Sequence, residues 1–91
     1  MPEVARLGDI CTGHGPCVPR PAIAGSPNVF VNNIPAHRVG DGWAMHCAHA
    51  SVLAAGSRTV FVNNRPLGRV GDPVACGSAV ATGSSNVFAG G

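Results

Sequence analysis

The 91-residue chain contains little of what usually stabilises a protein core. It has no tyrosine, no lysine and only four aromatic residues, whereas 13 residues are glycine and 8 are proline. A domain of this length buries only about 60% of the surface that its unfolded chain exposes. We therefore expect one small domain over residues 1–91, and we expect it to need a crosslink or a bound metal ion for stability.

The scarcity of charge and of long apolar runs argues against several kinds of partner. Six arginines against four acidic residues give a net charge of +2 without any basic run, so nucleic-acid binding is not expected. The longest uncharged stretch, residues 73–91, is interrupted by glycines and a pair of serines, so no membrane insertion is expected. The first residues also lack the basic and then apolar pattern of a signal peptide.

What the sequence does contain is a repeat. The segment 25–35, which reads Gly-Ser-Pro-Asn-Val-Phe-Val-Asn-Asn-Ile-Pro, returns with changes at 56–66 and in shortened form at 83–88. An Arg-x-Gly-Asp element also occurs three times, at residues 6–9, 38–41 and 69–72. The chain thus opens on the second half of a unit and closes on the first half. Pairing of the two ends would complete a third unit and close a ring of three.

Each unit has the pattern of a β-hairpin, which predicts an all-β fold with pseudo-threefold symmetry. β-Branched and aromatic residues surround Phe30 and Phe61, and an Asn-Asn pair follows each of them at the position of a two-residue turn. We expect Phe30, Phe61 and Phe88 to pack in the core or between units. The alanine-rich segment 43–55 is the one place where a short helix fits the sequence.

Potential metal ligands follow the Gly-Asp elements at nearly constant distances. His14 and His46 each lie five residues after the aspartate of their unit, and Cys76 lies four residues after the third aspartate. In a ring of three units these side chains converge on the axis. This predicts three ligands of a tetrahedral zinc site, since zinc accepts both histidine and cysteine. Cys17 and His49 each lie eight residues after an aspartate, and either one can supply the fourth ligand.

The remaining candidates have simpler interpretations. Cys11 and Cys17 could form a disulfide, and Cys47 could be a small buried apolar residue. His37 lies on the predicted returning strand, away from the loops, and is expected at the surface. Trp43 is expected to cover the apex from one side rather than to bind a ligand.

The repeat frame resembles that of the PAAR-repeat proteins. The similarity lies in the segment 25–32 and in the Pro-Ala-His-Arg-Val-Gly-Asp of residues 35–41, and the frame extends from Val4 to Phe88. The motif that gives the family its name is degenerate here. It reads Pro-Ala-His-Arg at 35–38 and Pro-Leu-Gly-Arg at 66–69.

The resemblance implies a small cone of β-hairpins in which the N- and C-terminal halves complete one repeat. Its base would cap a trimeric β-helical spike, one copy per trimer, in a phage tail or a type VI secretion system. Its point would be the first part to pierce the target envelope. The family's zinc is held near the point by three histidines and one cysteine, which correspond here to His14, His46, His49 and Cys76 and thereby favour His49 over Cys17.

The resemblance also bears on location and on other functions. It implies a monomer found at the tip of a virion tail, or in the bacterial cytoplasm before secretion, and the short chain favours a phage tail. An enzyme is not expected, because four convergent ligands leave zinc no open position for water. No fused effector is expected, since the repeat frame fills the chain. The alternative is a stand-alone zinc-binding adaptor that recruits cargo or effectors to a spike.

Overall fold

The computed structural model describes residues 1–91 and contains six short strands, which pair antiparallel into three hairpins, and no helix. The strands are β1 (Phe30–Val31), β2 (Ile34–Pro35), β3 (Gly42–His46), β4 (His49–Val52), β5 (Phe61–Val62) and β6 (Arg65–Pro66). The partners are β1 with β2, β3 with β4 and β5 with β6, in a body of 32 × 24 × 21 Å. The expected class, a small all-β cone, is confirmed, and no segment forms a helix able to cross a membrane.

The β1–β2 and β5–β6 hairpins turn on the two Asn-Asn pairs. Asn32 and Asn33 have φ values of 54° and 64°, and Asn63 and Asn64 have φ values of 54° and 66°. Two-residue hairpin turns that match the twist of their strands need positive φ at both positions, and asparagine adopts this conformation more readily than most residues. The predicted hairpins are therefore formed where the sequence places the asparagines.

Three backbone hydrogen bonds close a ring around the pseudo-threefold axis. The N–H of Ala5 donates to the carbonyl of Gly68, Gly68 donates to His37, and His37 donates back to Ala5, with N···O distances of 2.9–3.0 Å. Each of these residues immediately precedes the arginine of an Arg-x-Gly-Asp element. The three units therefore meet through equivalent backbone positions.

The two ends of the chain pair to complete the third unit, as predicted. Val4 donates its N–H to the carbonyl of Val87 at 3.0 Å and accepts the N–H of Ser84 at 2.9 Å. Further out, the N–H of Ala89 reaches the carbonyl of Pro2 at 3.0 Å. Segments from opposite ends of the sequence thus form one repeat.

Each Arg-x-Gly-Asp element is held by its own ion pair. The guanidinium Nε and Nη2 atoms contact both carboxylate oxygens at 2.8–3.1 Å. The three pairs are Arg6 with Asp9, Arg38 with Asp41 and Arg69 with Asp72. In the most buried pair, burial raises the pKa of Asp41, but hydrogen bonds from the Arg38 guanidinium and backbone N–H outweigh it and hold the pKa below its ordinary value.

The asparagine turn of one unit binds the Gly-Ser turn of a neighbouring unit. The side-chain oxygen of Asn63 accepts hydrogen bonds from the Ser26 hydroxyl at 2.6 Å and from Arg38 Nη1 at 2.9 Å. The equivalent junction joins Asn32 to Ser84 and Arg6. We call the places where two neighbouring units meet junctions. At two of the three junctions, the side-chain carboxamide of a turn asparagine therefore joins the units.

The third junction has no asparagine turn, because the third unit is split between the chain ends. Here the Gly90 carbonyl accepts the Ser57 hydroxyl at 2.7 Å and Arg69 Nη1 at 3.0 Å. A backbone carbonyl near the C-terminus thus takes the place of the asparagine oxygen.

The core consists of two small clusters of buried apolar side chains. The larger cluster contains Ala5, Cys11, Ala22, Trp43, Leu53, Val74 and Val80. The smaller contains Val4, Ala36, Val62, Leu67 and Ala89. Packing around the axis is tight, since a Cβ on Gly68 would lie 2.6 Å from Leu53 Cδ2.

The short helix that the sequence allows in segment 43–55 is not formed. The segment contains β3 and β4, in which Gly42 pairs with Val52 and the register shifts before His46. Loops on either side extend this hairpin, because Ala44 donates to the carbonyl of Pro21 and Ala75 donates to that of Val52. Hydrogen-bond partners distant in sequence therefore override the helix propensity of the alanines.

Of the two positions expected for the three phenylalanines, in the core or between units, the structure excludes the core. Phe30, Phe61 and Phe88 are 55%, 56% and 46% exposed. The residue after each of them, Val31, Val62 or Ala89, packs in or against the smaller core cluster. Successive side chains of a strand point to opposite faces, so burying the second position turns the phenylalanine outward.

His37 was expected at the surface, but its side chain is fully buried. The positions equivalent to it around the axis hold Ala5 and Gly68, which leave room for one larger side chain. The imidazole fills that space, donates its Nδ1–H to the Ala24 carbonyl at 2.8 Å and lies edge-on to Trp43 at 4.9 Å. The indole is 3% exposed and belongs to the larger core cluster.

Candidate metal centre

Four side chains from three separate turns come together at one place. They are His14 in the loop after the first Gly-Asp, His46 at the end of β3, His49 at the start of β4 and Cys76 in the loop after the third Gly-Asp. Their ligand atoms all lie within 4.8 Å of one another. The structure thus brings together the whole predicted set.

The β3–β4 turn places two of the histidines side by side. His46 and His49 are directly paired in the register of the hairpin, so both imidazoles project from the same face. The two residues between them, Cys47 and Ala48, have φ values of 47° and 61°, as a two-residue hairpin turn requires.

His14 is held in a tight turn of its own. Its backbone exchanges two hydrogen bonds with Cys17, at 3.0 and 2.9 Å. Glycine is required before it, since Gly13 has a φ of 71° and a Cβ there would lie 2.5 Å from the Cys17 carbonyl oxygen. The turn therefore fixes the direction of the His14 side chain.

Cys76 lies in a third turn, which is closed by a hydrogen bond from the Gly77 N–H to the Val74 carbonyl at 2.9 Å. The turn is joined to that of His14 by Ser78, whose hydroxyl oxygen accepts the N–H of Gly13 at 3.0 Å. Only noncovalent contacts of this kind connect the first and third turns.

The distances between the donor atoms fit a tetrahedral zinc ion. The Nε2 atoms of His14 and His49 are 3.4 Å apart, and His46 Nε2 lies 3.6 Å from Cys76 Sγ. With zinc–nitrogen bonds of about 2.0–2.1 Å and a zinc–sulfur bond of about 2.3 Å, the tetrahedron has edges of about 3.35 Å between nitrogens and about 3.6 Å between nitrogen and sulfur. Two of the six donor–donor distances thus match a tetrahedral zinc site, and all six lie within 4.8 Å, so the four side chains need only draw together to hold the ion.

The tautomer of His46 is set by a neighbouring loop. Its Nδ1–H donates to the Val18 carbonyl at 2.7 Å, which leaves the Nε2 lone pair facing Cys76. A ligand histidine is commonly oriented in this way by a hydrogen bond on its second nitrogen.

The surroundings of Cys76 favour its thiolate, which is the form that binds metals. Burial raises the pKa of the thiol, but hydrogen bonds from the Ser78 backbone and from the His49 and Ser51 side chains outweigh it and lower the pKa. The donor set thus combines three imidazoles with a sulfur whose environment favours deprotonation.

The sequence interpretation of the other cysteines is wrong. Cys17 forms a disulfide with Cys47, whereas Cys11 is a buried free thiol that accepts the N–H of Arg20 at 3.3 Å. The disulfide takes Cys17 out of the set of free ligands, and the position left open by the spacing is filled by His49. The sequence signal for the Cys17–Cys47 disulfide is that each cysteine lies close to predicted metal ligands, Cys17 near His14 and Cys47 beside His46.

Comparison with known families gives one match. A family model described as PAAR motif matches residues 12–82, a range that includes all four clustered side chains. No curated protein matches the sequence.

Proposed function

Because the chain belongs to the PAAR-motif family of spike-tip proteins in phage tails and type VI secretion systems, we propose that it caps the blunt end of a trimeric β-helical spike. We propose one copy per spike trimer, with residues 1–91 acting as a single PAAR domain. The family is structural, so the role is mechanical: the tip narrows the spike to a point that meets the target envelope first.

The observation that carries this proposal is the threefold set of exposed phenylalanines. Phe30, Phe61 and Phe88 occupy equivalent positions in the three units and are each about half exposed. Each follows a valine that is 36–37% exposed. A partner with true threefold symmetry presents the same surface three times, and one such surface can meet each Val-Phe pair. Exposed aromatic side chains are typical anchors of protein interfaces.

The positions of the phenylalanines and of the ligand cluster agree with a cone that has a base and a point. The phenylalanines lie in the short hairpins and near the paired chain ends, which close the ring. His46, in contrast, is the last residue of the longer strand β3. The five residues of that strand extend about 13 Å from Gly42. We therefore assign the Val-Phe pairs to the base and the ligand cluster to the point.

We further propose that the cluster holds one structural zinc ion. His14, His46, His49 and Cys76 would occupy all four positions of the tetrahedron, leaving none for a reacting water molecule. When bound, zinc supplies a crosslink between three turns. Structural zinc contributes about 10–16 kcal/mol in small metallo-domains, and a chain with so small a core needs a contribution of that kind.

The residues around the cluster prepare it for this role. Val18 holds the His46 tautomer, Ser78 joins two of the turns, and the β3–β4 turn sets the spacing of His46 and His49. The point is thus made rigid by its own hydrogen bonds as well as by the ion. Rigidity is what a tip needs when the sheath contracts and drives it forward.

The test combines the protein with the spike of the same tail or secretion apparatus and weighs the complex by native mass spectrometry. We expect one chain and one zinc ion per spike trimer. Replacing all three phenylalanines, F30S, F61S and F88S, should abolish the complex and leave the zinc content unchanged. A matched control replaces three side chains of similar exposure outside the Val-Phe pairs: I23S, M45S and V52S.

The other outcomes discriminate among the alternatives. Three chains per trimer would contradict the single-cap arrangement. Loss of binding in the control variant, with binding kept in the phenylalanine variant, would move the interface away from the base. A complex in which this chain links a further protein to the spike, without the ratio of one chain per trimer, would indicate the adaptor function.

A further inference from the structure

The disulfide joins the two turns that carry all three histidines of the cluster. Cys17 closes the turn of His14 through two backbone hydrogen bonds. Cys47 lies in the hairpin turn between His46 and His49. The two Cα atoms are 5.3 Å apart, so the crosslink holds the backbones of the two turns close together.

The same segment also orients one of the rings. Val18, the residue after Cys17, provides the carbonyl that accepts His46 Nδ1–H. Any movement of Cys17 away from the hairpin would carry this carbonyl with it. The disulfide therefore affects both the distance between the turns and the direction of the His46 Nε2 lone pair.

The third turn differs in this respect. Cys76 is not covalently linked to either histidine-bearing turn, and Ser78 contacts Gly13 only by a hydrogen bond. A zinc ion at the cluster would link all three turns, whereas the disulfide links two of them. The two crosslinks thus overlap on the segments that carry the histidines.

We propose that Cys17 and Cys47 are a positioning pair, whose disulfide preorganises the three histidines and thereby strengthens zinc binding. This rests on the zinc site proposed above. When two crosslinks restrict the same segments, the first removes much of the conformational entropy that the second would otherwise have to overcome. By linkage, zinc favours the disulfide by the same factor by which the disulfide favours zinc.

The redox step is an ordinary thiol–disulfide exchange. The two thiols lose two protons and two electrons to an oxidant such as oxidised glutathione, which leaves as two molecules of reduced glutathione. In the reverse direction, a phosphine reduces the disulfide and leaves as phosphine oxide with oxygen from water. Metal affinity at the point would therefore differ between oxidising and reducing surroundings.

The experiment measures zinc affinity by competition with a chromogenic chelator at fixed pH. The oxidised protein is compared with the phosphine-reduced protein and with the double variant C17S/C47S, in which neither thiol can act as a ligand. We expect both to bind zinc at least tenfold more weakly than the oxidised protein. The control C11A removes the buried cysteine outside the cluster and should bind zinc within about twofold of the oxidised protein.

Two spectroscopic measurements separate positioning from general destabilisation. The cobalt(II) spectrum at saturation should show the same tetrahedral, sulfur-ligated site in the double variant as in the oxidised protein. In the metal-free proteins, backbone amides of residues 13–18 and 46–49 should exchange faster in C17S/C47S than in C11A. Refolding the double variant with zinc present before the competition avoids dependence on its metal-free stability.

Each result has a definite meaning. Equal zinc affinity in the oxidised protein and in C17S/C47S would overturn the positioning role and leave the zinc site intact. Absence of zinc binding in every protein would overturn the zinc site itself, and with it this inference.

Discussion

At the scale of single residues, equivalent positions around the pseudo-threefold axis hold residues of very different size. Ala5, His37 and Gly68 share one ring of backbone hydrogen bonds. Only one of them carries a large side chain, and Leu53 occupies the space beside Gly68. The pseudo-threefold symmetry is therefore only approximate, in sequence and in packing. The core depends on having one large and two small residues at these three positions.

We expect the buried imidazole of His37 to make stability depend on pH. Burial lowers its pKa, an effect only partly opposed by the Ala24 carbonyl and by Asp41. The unfolded chain then binds a proton more readily than the folded protein. Stability should be complete above about pH 6.5, the pKa of an unperturbed histidine, and should fall as the pH drops from there through the lower folded-state pKa.

The measurement is the free energy of unfolding between pH 8 and pH 5 for the wild type and for H37A. All other ionisable groups are common to the two proteins, so the difference between the two curves reports His37. Wild type should lose its advantage over the variant as the pH falls. A difference that does not change with pH would show that His37 is not responsible.

Replacing Gly68 by alanine should destabilise the protein by about 1–3 kcal/mol, the usual cost of overpacking. The new methyl group would lie 2.6 Å from Leu53 and 3.1 Å from the His37 carbonyl oxygen. The matched control is G42A, whose Cβ would meet only Ile23 side-chain atoms at ordinary distances of 3.5–3.7 Å. Denaturant unfolding of both variants tests this, and equal destabilisation would contradict the packing explanation.

The sequence could not predict these features of single residues. His37 follows the pattern of a strand residue, and its burial depends on the small size of Ala5 and Gly68, which lie in other units. The exposure of Phe30 and Phe61 depends on which face of a two-residue strand is buried. No periodicity can be read from so short a strand, so the sequence does not show that the phenylalanines lie outside the core.

At the scale of the secondary-structure elements, the asparagine turns have two separate roles. They shape the hairpins, and they bind a neighbouring unit. Both residues of each turn have positive φ, but only the first carries side-chain hydrogen bonds to a neighbouring unit. Asn63 bonds Ser26, Arg38 and Asn28, whereas no side-chain hydrogen bond is formed by Asn64. The pair therefore offers a direct comparison between turn conformation and contact across the junction.

We expect N63A to destabilise the protein by about 1–3 kcal/mol more than N64A. Both variants place alanine at a positive φ, so this strain is common to them. Only N63A also removes the oxygen that accepts hydrogen bonds from the Ser26 hydroxyl and from Arg38 Nη1, and the loss of these bonds across the junction is the source of the difference. Thermal and denaturant unfolding measure it, and equal losses would mean that the junctions contribute little.

The hairpins could be predicted because each is encoded locally, by β-branched residues beside an Asn-Asn pair. Three of the four candidate ligands, His14, His46 and Cys76, could be predicted because the Gly-Asp elements provide a common register for three loops. The spacing left the fourth open between Cys17 and His49, and only the family resemblance favoured His49. By contrast, β3 and β4 depend on pairing with loops far away in the sequence. The Cys17–Cys47 disulfide depends on the distance between two turns, which spacing along the chain does not give.

At the scale of the whole molecule, the small core and the ligand cluster have complementary roles. Two clusters of seven and five buried residues hold the ring and the base of β3. The turns beyond them are held by backbone hydrogen bonds, a disulfide and the four potential ligands. The proposed zinc ion would therefore crosslink turns that lie mostly outside the apolar core, although Cys76 packs against the larger cluster.

Zinc at a free concentration about 1,000-fold above its dissociation constant should stabilise the fold by about 4 kcal/mol. For a domain of this size, that corresponds to a rise in melting temperature of about 15–30 °C. Calorimetry with zinc and with a chelator measures this rise. C76S should greatly reduce it, and C11A should retain it; an equal rise in both would show that zinc acts elsewhere.

At one of the three junctions the Gly90 carbonyl replaces the asparagine oxygen, so the ring is closed there by a chain end. We call this junction the seam. At the other two junctions the contacting carboxamide belongs to a continuous hairpin, so separating them would require a turn to deform. At the seam, Gly90 and the strand pairing of Val4 with Ser84 and Val87 are held by hydrogen bonds alone. Outward strain on the ring would pull two chain ends apart at this junction, so we expect the ring to open there first.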